Sequence, residues 1–391
     1  MADKLRFSQR LEWDRPSNRV ARALEARRGA GEPLLDLTES NPTRAGFRYE
    51  TDAVLAALAR EESMLYEPQP AGLRRAREAV SAYYAQRGLA VEPDRILLTA
   101  STSEAYGYLF KLFADPGDPA VAPKPSYPLF EFLAALECVR LLEYRLRYED
   151  RWRVDFASLE RALDAGARIA LAVTPNNPTG SYLSADEMRR IAELCAAHGA
   201  ALVIDEVFHD YRIEAGPAPA AGEIEGPVFL LNGLSKILGL PQMKLAWIAA
   251  LGPGQEEALR RLELIADTYL SVATPVQHAL QKWLRLRPGF QAQVTARLRS
   301  NLARLQAAVG GSPCDALRVE GGWYAVLRLP RVRAEEDWVL LFIEQDGVLA
   351  QPGYFFDFEE EAFAVVSLLT PENVFEEGLQ RITSRVAREA G

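Results

Sequence analysis

Four short stretches of this sequence hold the residue types from which a reactive site can be built. Ser235-Lys236 places an amine among Leu234, Ile237 and Leu238, in a chain where only six of 45 basic residues are lysines. An amine in apolar surroundings gives up its proton more readily than in water and becomes a usable nucleophile. Asp205-Glu206 closes the apolar run 201–204, so a carboxylate there can meet a cationic ring nitrogen or a metal. Thr174-Pro175-Asn176-Asn177-Pro178-Thr179-Gly180 uses two prolines and a glycine to fix a loop that projects the amide of Asn177. Ala100-Ser101-Thr102-Ser103 brings three hydroxyls and free backbone N–H groups to a helix start, which makes an anion cradle. Each stretch alone also has a plain structural reading: a surface lysine, a capping aspartate, a Pro/Asn turn, a Ser/Thr helix cap.

What raises their weight is where they stand. Each follows a predicted strand: 95–99, 169–173, 201–204 and 228–232 are short apolar runs, joined by 120–122, 140–144 and 245–249. Helical patterns alternate with them at 103–113, 129–136 and 184–197; the last has Ser184 at the N-cap, Glu187 at the capping-box position and Gly199 beyond its end. This rhythm predicts an α/β fold with a large doubly wound, mostly parallel sheet, which binds ligands at the carboxyl ends of its strands. After Gly289 the pattern changes. A long amphipathic helix is predicted over 290–309, then strands at 323–329, 348–350 and 363–368 with helices near 335–346 and 373–387, a smaller α+β unit. A short helix is expected at 19–28. The expected division is a large domain over 45–287 and a small domain from 1–44 and 288–391, in keeping with 391 residues being more than one ordinary core holds.

Taken jointly, the four stretches describe one ligand: a phosphate at Ser101–Ser103, a ring with a basic nitrogen facing Asp205, a phenolic oxygen near Asn177 and an aldehyde carbon on Lys236. That ligand is pyridoxal phosphate held as a Schiff base. With TPNNPTG, the IDE that contains Asp205, and SKxxGLP at Lys236, in this order and spacing, the chain resembles the fold-type I pyridoxal-phosphate aminotransferases of class I/II from Leu35 to the C-terminal helix. The resemblance implies that Lys236 carries the cofactor and shuttles a proton, and that Asp205 pairs with the ring nitrogen. It also implies that Tyr127 stacks on the ring and Asn177 donates to its phenolic oxygen. Ser101, Thr102, Ser103 and Ser235 would surround the phosphate. Tyr66 resembles a tyrosine that reaches the phosphate of the neighbouring subunit, which implies a homodimer with shared active sites. The implied substrates are an amino acid and a 2-oxo acid.

The sequence departs from the family at three places. Lys244 stands where an arginine fork is usual eight residues after the lysine, and charge is kept without the fork. Phe208 replaces a tyrosine and brings no hydroxyl to the cofactor. Val365 occupies the position of the arginine that grips the substrate carboxylate. Asn41 and Arg44, in the loop after 35–37, are the expected substrate-binding residues in its absence, with Arg48 and Arg328 as further candidates.

Other functions are excluded or weakened by what is missing. No GxxxxGK[ST] and no GxGxxG follows a strand. Net charge is −9 without a basic block, so nucleic acid is not an expected partner. No apolar run is long enough for a membrane helix, and the first residues lack a signal core. Three scattered cysteines and three histidines give no metal or disulfide framework, and a reducing cytoplasm is expected. Two rivals remain: a lyase on the same cofactor, for example a β-eliminating enzyme, and a ligand-sensing module. The second would carry a DNA-binding domain in front, for which the stretch before Arg19 is too short.

Overall fold

Runs of small and branched apolar residues buried on both faces, such as Ile169–Val173 and Ala201–Asp205, form the centre of a sheet. The computed structural model describes residues 5, 7–11, 18–216, 224, 226–252 and 254–390. The remainder of the predicted 1–44 segment lies outside the described residues. Helix α1 (Arg19–Gly29), strand β1 (Leu35–Asp36), α2 (Thr51–Ala56) and α3 (Arg74–Gln86) lead to the large sheet. There follow β2 (Ile96–Thr99), α4 (Thr102–Phe113), β3 (Pro119–Lys124), α5 (Phe130–Leu136), β4 (Arg140–Tyr148), β5 (Trp152–Val154), α6 (Phe156–Asp164) and β6 (Ile169–Val173). Next come α7 (Ala185–Ala197), β7 (Ala201–Asp205), β8 (Val228–Gly233), the single turn α8 (Leu234–Ile237), β9 (Ala246–Leu251) and α9 (Gln255–Tyr269). The chain closes with α10 (Thr274–Val309), β10 (Asp315–Ala316), β11 (Tyr324–Arg328), α11 (Glu335–Leu341), β12 (Val348–Leu349), β13 (Gln351–Pro352), β14 (Phe363–Ser367) and α12 (Glu372–Ala390).

The large sheet has eight strands in the order β2-β9-β8-β7-β6-β3-β4-β5. Its centre is parallel, while β9 runs antiparallel to both neighbours and β5 returns antiparallel to β4. The link 234–245 holds only short helical turns, and β9 doubles back antiparallel beside β8. A separate four-stranded sheet, β10-β11-β14-β13, makes the smaller unit, and β1 pairs with β12 beside it. The helix predicted from 290 instead starts at Thr274 and runs through Pro288 without a break. Buried Trp283, Phe290, Val294 and Leu298 pin it to the core on both sides of the proline, and that packing outweighs one lost hydrogen bond.

Candidate active site

Strand direction decides where the site forms. β2, β3, β6, β7 and β8 all point the same way, so the segments that follow them open on one edge of the sheet. Those segments are 100–103, 125–127, 174–180, 205–206 and 234–236.

Lys236 sits in the turn α8 directly after β8. A Cβ on Gly233 would stand 2.7 Å from the Ala246 side chain, so only glycine lets β8 and β9 close up just before the lysine. The Lys236 carbonyl accepts a 2.5 Å hydrogen bond from the Tyr211 hydroxyl. Its amine lies 5.4 Å from the ring centre of Phe208 and 5.1 Å from that of Trp323. Burial lowers its pKa to about 8, against the opposing pull of the Asp205 charge.

Asp205 ends β7. Its Oδ1 accepts the Val207 N–H at 3.0 Å and its Oδ2 accepts the Tyr106 hydroxyl at 2.8 Å. Burial pushes this carboxyl up to about 6, while the two hydrogen bonds hold it down. Glu206, next along the chain, points away and takes a two-pronged bond from Arg87 at 2.8 and 2.7 Å. Adjacent strand residues face opposite sides, so only one of the two acids serves this edge.

The two amides of the 174–180 loop divide in the same way. Asn176 is fully engaged, donating to the Pro125 carbonyl and Thr179 Oγ1 and accepting from Ser126 Oγ. Asn177 is equally buried, yet its Oδ1 has no partner. Ser101 caps α4 by accepting the Glu104 N–H at 3.1 Å, and Thr102 and Ser103 form its first turn. The Glu104 carboxylate reaches back to the Ala100 N–H at 2.7 Å. Half-buried Tyr127 packs edge-on against Phe130 at 5.8 Å, with its hydroxyl pushed up to about 12 by burial. Buried Phe208 meets Trp323 at 5.2 Å and Tyr324 at 6.3 Å. Ser235 is half-buried beside Lys236.

The structure thus brings Lys236, Asp205, Phe208 and Tyr127 into one neighbourhood, with the loop of Asn177 and the cap Ser101–Ser103 on the same edge. Three residues join them that sequence reasoning did not single out: Tyr106, Trp323 and Tyr324. Beside Tyr324, the Ser367 N–H of β14 donates to the Leu37 carbonyl at 2.7 Å, which ties the N-terminal loop to the small sheet.

The remaining candidates stand further out. Lys244 is exposed, in a left-handed backbone conformation with φ 49°. Tyr66 is 75% exposed beside exposed Met64 and Leu65. Asn41 spends its Oδ1 on the Thr43 N–H and hydroxyl. Arg44 is exposed, and its side chain has no hydrogen bond or ion pair among the described residues. Arg48 is exposed, with its backbone tied to Gln293, and Arg328 pairs outward with Asp315 at 3.2 Å. Val365 is fully buried among Trp152, Val326, Phe356 and Phe358, so no charge projects from this point of β14. A cleft of about 450 Å³ opens between β4 and the small sheet, lined by Trp152, Arg328 and Phe358; it includes none of Lys236, Asp205 or Asn177. Among the described residues no His/Cys/Asp/Glu group is arranged to hold a metal, and no helix is long and apolar enough to cross a membrane.

Known proteins resemble this chain in sequence and in fold. The sequence profile of the family described as aminotransferase class I and II matches residues 32–382. Nicotianamine aminotransferase A of Hordeum vulgare is 25% identical over 373 residues, covering 90% of this chain and 80% of the relative. S-alkyl-thiohydroximate lyase SUR1 of Arabidopsis thaliana is 27% identical over 318 residues, 77% of this chain and 68% of the relative. The solved structure of alanine aminotransferase from Pyrococcus furiosus superposes with a TM-score of 0.89 at 21% identity, covering 98% of this chain and 100% of that one.

Proposed function

The chain belongs to the aminotransferase class I and II family, and from this premise we propose that it moves an amino group between an amino acid and a 2-oxo acid on a pyridoxal phosphate seated at the edge just described. The residues present fit that group. A buried carboxylate ends β7, hydroxyls cap α4, the Asn177 amide lies on the same edge, and a desolvated amine faces them. When bound, the cofactor supplies an electron sink that lets an amino group leave one carbon and arrive at another.

The chain's own residues do the rest. Lys236, with a pKa brought down to about 8, has a usable share of neutral amine near neutral pH; it holds the cofactor and moves a proton at Nζ. Asp205 would hold a negative charge for the ring nitrogen, the Asn177 amide would donate to the ring oxygen, and Tyr127 would cover the ring. Ser101, Thr102, Ser103 and Ser235 line the phosphate cradle, and Lys244 adds charge to it. Phe208 covers the ring oxygen side with carbon only. Asn41 and Arg44 reach the substrate from the loop that begins where Leu37 is tied to Ser367 of β14. Tyr66 reaches the cradle of a second subunit in a homodimer; the exposed Met64, Leu65, Tyr66, Tyr269 and Leu270 support such a contact, since a water-facing patch of this kind is usually covered. In this reading the large domain spans 45–287 and the small one 1–44 with 288–391, so their boundary falls inside α10. Three free cysteines favour a cytoplasmic setting.

The observation that carries this function is the Lys236 amine between two aromatic rings, within reach of the Asp205 charge. The test is to load the protein with cofactor and add single amino acids. Conversion of the cofactor to its amine form, with release of the matching 2-oxo acid, supports aminotransfer. Release of ammonia without any 2-oxo acid acceptor supports lyase chemistry instead, the activity named for one relative. Borohydride reduction and peptide mapping should place the adduct on Lys236, and an adduct on Lys244 overturns the assignment.

A further inference from the structure

Tyr106 lies in α4, one turn beyond the cap that opens the anion cradle. It is fully buried, and its hydroxyl makes a 2.8 Å hydrogen bond to Asp205 Oδ2 across 99 positions of sequence. Its ring is fixed by Phe130 at 5.2 Å and Phe110 at 6.3 Å, and Phe130 in turn touches Tyr127. One residue therefore links the cradle helix, the stacking tyrosine and the acid at the end of β7.

We infer that Tyr106 is a positioning residue that keeps Asp205 anionic and aimed, so that the site prefers a ring carrying a protonated nitrogen. This deepens the cofactor reading and rests on it. The physical ground is desolvation. A buried carboxylate with too few donors takes up a proton and becomes neutral, and a neutral acid gives a cationic ring no ion pair. The Val207 N–H satisfies Oδ1 and comes from Asp205's own turn. Oδ2 depends on an element that the sheet does not dictate. With the phenol in place, the carboxylate stays charged and its Oδ2 keeps one direction. A ring without a nitrogen would leave that charge buried and unpaired, which costs binding. Without the phenol the acid sits neutral, and the two rings bind more nearly alike.

The test compares two probes, pyridoxal phosphate and its deaza analogue with C–H in place of the ring nitrogen, on purified full-length protein. Dissociation constants are read by fluorescence or absorbance, with no turnover needed. In the unaltered protein the deaza analogue binds more weakly. Tyr106→Phe should shrink that preference about tenfold, the size of one hydrogen bond to a charged group, while melting temperature and overall spectrum stay close to the parent. Asp205→Asn should shrink it as far, and adding Tyr106→Phe to Asp205→Asn should change it no further. Equal weakening of both probes by Tyr106→Phe, or an unchanged preference, overturns the inference, because a packing defect treats the two rings alike. A protein that binds neither probe sinks the cofactor reading itself, which is a separate outcome.

Discussion

At the carboxyl edge of the large sheet, Asp205, Asn177 and Lys236 stand on the ends of buried strands that pair on both sides. By contrast, Asn41, Ser40 and Arg44 sit in a loop whose start is tied to the small sheet by the Ser367 N–H donating to the Leu37 carbonyl. The first region is rigid because its backbone is the sheet itself, and its polar atoms are either fully engaged, like those of Asn176, or left open, like Asn177 Oδ1. The second is held by a few local contacts and carries an arginine whose side chain has no partner among the described residues. The contrast separates two tasks. Chemistry common to all substrates needs fixed geometry, whereas choice of substrate falls to surfaces that can differ without disturbing the sheet. Val365 makes the same point from the other side, since an apolar residue buried against Phe356 and Trp152 shapes the small sheet and grips nothing.

The sharpest way to break this comparison is at its rigid end. Lys236→Ala should lower aminotransfer by at least about a thousandfold, as loss of a nucleophile that is also the acid–base group requires, with the melting curve retained. Activity within tenfold of the parent would mean that another amine serves. At the loop end, Arg44→Ala should raise KM for the amino acid about 10- to 100-fold, the loss expected for a charged hydrogen bond, and leave the cofactor spectrum unchanged. Arg328→Ala should leave both KM and the cofactor spectrum unchanged, because that side chain is turned outward to Asp315. Equal KM for Arg44→Ala and the parent would assign the substrate carboxylate to other groups, and good turnover of amines lacking a carboxylate would explain why.

Stability offers a third probe. The Lys236 pKa of about 8 lies below its ordinary value, so between pH 8 and the ordinary lysine range the unfolded chain binds more protons than the folded one. Stability therefore rises with pH through that window, and at pH 7 the buried amine costs its full amount. Cofactor-free Lys236→Met should be more stable than the parent at pH 7 by about 2 kcal/mol, allowing for partial solvent contact, and the advantage should fade as pH climbs past 10. A gain that stays constant with pH would point to packing alone. The smallest effect is expected from Phe208→Tyr. A phenol beside Lys236 would donate to the ring oxygen and favour the deprotonated form of the loaded site. The pH of its spectral transition should drop by roughly half a unit, as one modest hydrogen bond implies. An upward move would show that the ring faces elsewhere.

Much of the rigid end was legible in the chain because strand-end chemistry is local. A turn such as 174–180 is written in its own prolines and glycine, Ser184 and Glu187 form the capping box their spacing predicts, and the apolar runs 169–173 and 201–204 announce strands buried on both faces. The scarcity of lysine, with apolar residues around Lys236, marks that amine in the chain itself. Long-range partners were not legible. Tyr106 reads as one apolar position of an amphipathic helix, and only the packing of α4 on the face of the large sheet makes it the donor to Asp205. The antiparallel course of β9, the unbroken passage of α10 through Pro288 and the tie between Leu37 and Ser367 were likewise decided by tertiary contacts. Spacing encodes local backbone geometry directly. A hydrogen bond across a hundred residues is set by which surfaces exclude water together, and no short stretch of sequence records that.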